Sequence, residues 1–154
     1  MKKIDLGQTI TVLANVGVLI GILLLVYELN QNRQMMQAQT RSAIANGITD
    51  FLVNIGSDRE LSDLWSLGGS GTSLDEAESR QFSVLMTGFL RYLEGAHYQY
   101  RNGLFEQNEF ETQREQIRRL FALPGYKSYW CDPRRPTVFT HDFSSEMDAL
   151  ISCP

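Results

Sequence analysis

The sequence has few of the residues that build most metal and catalytic sites, since its 154 residues include only two histidines and two cysteines. These are His97, His141, Cys131 and Cys153. Zinc sites usually contain a close pair of ligands such as Cys-x2-Cys, and no such pair is present. We expect no metal and no cofactor. We favour a disulfide between Cys131 and Cys153, which requires an oxidising compartment. Two free buried thiols, or a zinc ion held by all four residues, are the alternatives.

Signatures of catalysis are also missing. Glu94 and His97 form a Glu-x-x-His pair, which is half of what a di-iron four-helix bundle needs, but Val138 stands where a second carboxylate would precede His141. There is no Gly-x-Ser-x-Gly nucleophile motif, and the glycine-rich segment 68–71 lacks the lysine of a phosphate-binding loop. We interpret His97 as a hydrogen-bonded core histidine. We predict that the protein is not an enzyme, with a membrane-tethered enzyme as a distant alternative.

A surplus of positive charge is lacking as well. Lys2, Lys3 and Asp5 are the only charged residues before Glu28, so residues 28–154 carry 12 basic and 17 acidic side chains, a net charge of −5. Nucleic acids and anionic lipid head groups both bind to basic surfaces. We therefore exclude nucleic acid as a partner and polybasic lipid recognition as a function.

Charge is completely absent from Leu6 to Tyr27, a stretch of 22 residues. A helix of that length spans roughly 33 Å, enough to cross a hydrocarbon core of about 30 Å. A secretory signal peptide has a similar pattern, but no small-x-small cleavage site follows Val26. We predict a retained transmembrane anchor over residues 1–29, with the lipid bilayer as a partner.

Two stripes of residues run along the predicted anchor, each within about 60° of arc on a helix of 3.6 residues per turn. The small-residue stripe is Ala14, Gly17 and Gly21, and the polar stripe is Gln8, Thr11 and Asn15. Small residues let helices approach closely in lipid, and an asparagine there needs a polar partner. We predict a homo-oligomer, or contact with another membrane protein, through Ala14, Asn15, Gly17 and Gly21. A small oligomeric pore lined by the polar stripe is the alternative.

The rest of the chain predicts an all-α fold, because apolar residues recur at helical spacing and no segment alternates with a period of two. Residues 30–42 are predicted to form a polar helical stalk. Residues 43–154 are predicted to form a small helical-bundle domain with a flexible break near 68–72. Capping boxes that begin at Ser57 and Ser73 are expected to open two of its helices.

The longest helix of this domain is predicted over residues 74–102. A further helix is expected to start near Asn108 and to stop at Pro124, and a last one to cover residues 142–151. One face of the longest helix is predicted to lie in the core; it consists of Phe82, Leu85, Met86, Phe89, Leu90, Leu93, Ala96, His97 and Tyr100.

A second face of the same helix carries Arg91, Glu94, Tyr98 and Arg101, which we call the polar seam. Arg91 and Glu94 stand one turn apart and can pair, and Glu94 can also reach Tyr98. Because buried charges persist only when they are paired, we favour a buried network that holds neighbouring helices in register. A binding surface is the alternative.

Several stretches of the chain resemble a family of small bacterial membrane proteins. They are residues 28–33 with 37–41, Glu94 with residues 97–104, and residues 123–125 leading to Tyr129 and Trp130, with Phe143 and Asp148 near the end. The resemblance covers most of the chain. It implies an N-terminal transmembrane helix followed by a helical domain in a bacterium, and it implies no activity.

The charges that flank the anchor bear on its orientation. Lys2 and Lys3 lie closer to the apolar stretch than Arg33 and Arg41 do, which favours a cytoplasmic N-terminus. We therefore expect a single-pass protein of the bacterial inner membrane with its domain on the external, periplasmic side, and keep the opposite orientation as the alternative. The predicted function is that of a membrane-anchored interaction or structural protein.

Overall fold

The structure is a computed structural model that describes residues 6–134 and 138–153. Over these residues it contains six helices and no strand: α1 (Leu6–Ser57), α2 (Arg59–Ser70), α3 (Glu76–Arg101), α4 (Gln107–Leu120), α5 (Pro124–Cys131) and α6 (His141–Ile151). The prediction of an all-α fold is confirmed.

The chain divides into two compact units, Met1–Gln39 and Thr40–Pro154. Helix α1 contributes to both, and the boundary falls inside the segment predicted as a stalk. Within α1 the most apolar stretch of 18 residues is 0% buried. This helix is long and apolar enough to cross a membrane, and it is compatible with a membrane anchor. Lys2, Lys3 and Asp5, on which the predicted orientation depends, lie outside the described residues.

The second unit is built around α3. This helix contacts α2, α4 and α6, while α5 packs against α2. The apolar face of α3 packs against large side chains of α5 and α6. The largest fully buried side chains of this core are Met86, Leu90, Trp130, Phe143 and Met147. Most of the predicted core face is buried, whereas Leu85 and Tyr100 are half-buried at its edges.

Two helices begin at other residues than predicted. The side chain of Asp58 caps α2 by accepting two N–H groups of the first turn, whereas Ser57 is the last residue of α1. Asp75 caps α3 in a reciprocal capping box with Glu78, whereas Ser73 precedes the cap. In each case an aspartate shortly after the serine is the N-cap residue. Its carboxylate accepts N–H groups of the first turn and also interacts favourably with the helix dipole.

The prediction of a flexible break near 68–72 is wrong for residues 68–70, which are helical. Gly68 and Gly69 belong to α2 and are buried. Helix α5 passes directly over them, so close that a Cβ atom added to Gly125 would lie 1.7 Å from the carbonyl oxygen of Gly68. The chain leaves the helix only at Gly71, whose φ of +82° is the left-handed conformation that glycine adopts readily. These glycines are packing positions.

Helix α5 is missing from the predictions, which took Pro124 as the end of the preceding helix. Helix α4 ends at Leu120, and Pro124 lies in the first turn of α5, where a missing N–H costs nothing. Helix α5 buries Tyr126 and Trp130. The indole Nε1 of Trp130 donates a hydrogen bond of 2.8 Å to Asp148 in α6.

The end of α5 is joined covalently to the chain beyond α6. Cys131 and Cys153 form a disulfide, with their Cα atoms 5.5 Å apart. The described structure contains no free cysteine. Helix α6 itself begins at His141, one residue before its predicted start.

Candidate functional site

The polar seam opens onto a cleft in the surface of the second unit. The cleft has a volume of about 640 Å³, and its walls are Arg91, Glu94, Gly95, His97, Tyr98, Gln99, Arg101, Asn102, Thr140 and Asp142. All four residues of the polar seam line it. Thr140 and Asp142, at the start of α6, form a second wall that spacing along α3 could not indicate.

Glu94 is a buried carboxylate whose side chain is 11% exposed. Its Oε2 accepts a hydrogen bond of 2.6 Å from Arg91 Nη1, and its Oε1 accepts one of 2.6 Å from the backbone N–H of Thr140. Burial by itself would raise the pKa of Glu94, but these donors outweigh it and hold the pKa below its ordinary value. Glu94 is therefore an ionised group with both oxygens occupied, which fits a structural anion better than a proton acceptor.

The two arginines of the seam lie towards opposite ends of the cleft, since ten residues of helix rise about 15 Å. The side chain of Arg91 is half-exposed, and its guanidinium carbon lies 5.4 Å from the ring centre of Phe139. Arg101 forms an ion pair with Asp142 of α6. The seam thus binds α3 to α6 at the edge of the core.

Tyr98 is the most exposed aromatic residue of the cleft wall, at 64%. Its hydroxyl makes no hydrogen bond with a described residue, and the predicted contact with Glu94 is not formed, because Thr140 and Arg91 occupy the carboxylate. Tyr98 is thus the seam residue that contributes least to the packing of the unit.

His97 is buried, at 8% exposure, between the rings of Phe110 and Phe143, whose centres lie 5.9 Å from its own. Burial lowers the pKa of His97 below its ordinary value, while the nearby charge of Glu146 opposes the shift. The ring also lines the cleft, and no described residue hydrogen-bonds to it. The expected hydrogen bond of a core histidine is therefore absent from the described part of the chain, and no group of three metal-ligating side chains occurs there.

In the first unit, both predicted stripes of the anchor are accessible. Neither Gly17 nor Gly21 has any atom within 4 Å of the place where a Cβ would stand. Ala14 and Asn15 are exposed. The Thr11 hydroxyl donates a hydrogen bond of 3.0 Å to the backbone oxygen of Gly7, so this member of the polar stripe is satisfied within its own helix.

Comparison of the chain with protein-family models, with curated proteins and with solved structures finds no match. Functional inference therefore rests on the chain's own residues.

Proposed function

We propose that this protein is a single-pass membrane protein of the bacterial inner membrane that acts as an interaction or structural subunit. In this proposal the N-terminal part of α1 is the anchor and the second unit faces the periplasm. The family resemblance supports the placement in a bacterial membrane, and the absence of a catalytic constellation among the described residues supports the assignment of a non-enzymatic role.

The observation that carries the proposal is the exposure of the apolar part of α1. Twelve large aliphatic side chains between Ile10 and Val26 are each at least 46% exposed. Full burial of one such side chain contributes about 1.5–3 kcal/mol, so leaving all of them in water would forgo tens of kcal/mol. Small domains have a net stability of only about 5–15 kcal/mol. A hydrocarbon environment takes these side chains out of water, and so recovers that burial free energy, without any tertiary contact.

The anchor also provides a surface for self-association. The backbone at Gly17 and Gly21 is not covered by any side chain. In lipid, where the hydrophobic effect does not drive helices together, an uncovered backbone lets a second helix pack closely against it. Asn15 stands beside it with an amide that a neighbouring helix can satisfy. The Thr11 hydroxyl is already bonded to Gly7, so this member of the polar stripe does not need a water-filled lumen. We therefore favour a closely packed oligomer over a pore.

The proposal is tested by substituting Gly17→Leu together with Gly21→Leu in the full chain. The bulky side chains should separate the helices and reduce the native mass measured in mild detergent to that of a monomer. The double variant should still fractionate with membranes after alkaline extraction, because it is more apolar than before. Val16→Leu with Ile20→Leu, at the same spacing on the side of the helix away from both stripes, is the matched control and should keep the native mass. An unchanged mass for the glycine variant would refute association through this stripe.

A further inference from the structure

The cleft beside the polar seam contains more hydrogen-bond donors than acceptors. A guanidinium group has five N–H groups, and Arg91 and Arg101 each give one of theirs to a carboxylate in the described structure. Both oxygens of Glu94 are occupied. The Tyr98 hydroxyl adds another donor that no described residue uses. A ligand that fits this wall must supply acceptor oxygens.

His97 adds a further polar group to the cleft wall, and the rings of Phe110 and Phe143 hold it in place. It is 8% exposed, it lines the cleft, and no described residue hydrogen-bonds to its ring. The ring nitrogens do not belong to the fully buried polar atoms without a partner in the described structure, so they are open to the cleft. A ligand seated in the cleft can therefore hydrogen-bond to the ring of His97.

The start of α6 adds a third attraction for negative charge. No side chain caps the first turn of α6, and Thr140 and Asp142 place this turn at the cleft wall. Helix N-termini favour anions through their free N–H groups and the helix dipole. The four charged side chains of the wall, two arginines and two carboxylates, cancel one another. A singly charged carboxylate therefore fits better than a phosphate dianion, which the two wall carboxylates would repel.

We propose that this cleft is a binding site for carboxylates, with Arg101, Tyr98 and the ring of His97 as contacts and Arg91 at the far end. The rise of about 15 Å between the two arginines corresponds to about five residues of extended peptide. The carboxylate can thus come from an acidic peptide segment that runs along the cleft or from a small organic acid at one end. The inference concerns the second unit alone, so it stands or falls separately from the membrane anchor.

The test uses the full-length protein in an uncharged detergent and three probes. These are a short peptide of alternating glutamate and glycine, the same peptide with glutamine in place of glutamate, and glutarate. Binding is measured by calorimetry, and the ring signals of His97 are followed by NMR, assigned through His97→Gln. We expect the acidic peptide to bind and to shift the His97 signals, and the glutamine peptide to do neither. Binding of the acidic peptide alone indicates a protein partner, and equal competition by glutarate indicates a small acid.

Two variants and a control locate the site. Arg101→Gln should weaken binding about tenfold or more, since hydrogen bonds to charged groups are the strong ones. Tyr98→Phe, which removes one exposed oxygen and leaves the core untouched, should also weaken binding and serves if Arg101→Gln does not fold. Arg80→Gln is the matched control, because Arg80 is an exposed arginine of α3 that pairs with Glu76 outside the cleft; it should bind within about twofold of the unaltered protein. Unmoved His97 signals at saturating acidic probe, or equal losses for Arg80→Gln and Arg101→Gln, would overturn the proposal.

Discussion

Glu94 accepts a hydrogen bond from a backbone N–H that lies 46 residues further along the chain. Glu94→Ala removes the acceptor for both Thr140 and Arg91, so we expect the free energy of unfolding to fall by about 2–3 kcal/mol. Glu94→Gln keeps an acceptor oxygen and should cost less. Arg91→Ala should cost only about 1 kcal/mol or less, because Arg91 is half-exposed. Denaturant unfolding followed by circular dichroism measures all three, and a Glu94→Ala protein as stable as the unaltered one would show that this pair does not support the fold.

His97 makes stability depend on pH. Its pKa in the folded protein lies below the unfolded value of about 6.5, because burial disfavours the charged ring. As the pH falls through the unfolded pKa, the unfolded chain takes up the proton first, so the free energy of unfolding decreases. We expect this decrease between about pH 7 and pH 5.5, and His97→Gln should remove it. His141→Gln, which alters an exposed histidine, is the control that should retain the dependence.

At the scale of helices, the contact between α2 and α5 depends on glycine. Gly125→Ala would place a Cβ against the carbonyl oxygen of Gly68, and since both atoms belong to backbones, the two helices would have to separate. We expect a loss of about 3 kcal/mol or more in the free energy of unfolding. Gly88→Ala in α3 is the matched control, because nothing lies within 4 Å of its added Cβ. That change should stabilise the protein by up to about 1 kcal/mol in the same unfolding measurement, since alanine favours helix over glycine.

The helices that the sequence predicted well are those with long uninterrupted signals. Helices α1 and α3 contain no proline. The anchor part of α1 was evident from its long uncharged stretch, and α3 from apolar residues that keep one spacing over many turns. Helix α5 escaped prediction because Pro124 and Gly125 signal a helix end locally, while the proline here belongs to a first turn. Gly68 and Gly69 resembled a linker because their packing partner is far away in the sequence.

Part of the candidate site could be predicted from the sequence and part could not. The polar seam could be predicted because its four residues stand three and four positions apart on a single helix. Its partners Thr140 and Asp142 could not, since contacts between distant segments leave no periodic trace in the sequence. The burial of His97 on the apolar face followed from helical spacing, whereas its lack of a hydrogen-bond partner is a property of the packed unit.

At the scale of the whole molecule, the disulfide links stability to location. A bridge between Cys131 and Cys153 persists only in an oxidising compartment. The proposed periplasmic placement provides such a compartment. We expect thiol labelling of freshly isolated, denatured and unreduced protein to find no free cysteine, and reduction to lower stability by about 3 kcal/mol. A Cys131→Ser, Cys153→Ser protein is the control, since a reductant should not change its stability. Two labelled thiols would instead place the second unit in the cytoplasm.

The same bridge determines how the second unit would carry mechanical load. A pull that reaches Cys153 from its C-terminal side passes through the sulfur atoms to Cys131 and into α5. The segment between the two cysteines, which includes α6 and its wall of the cleft, lies outside that path. The cysteines are 22 residues apart in sequence but 5.5 Å apart in space, so reduction would release roughly 70 Å of additional chain under tension. A tether that stays short when oxidised and lengthens when reduced would differ by this amount in a single-molecule extension trace.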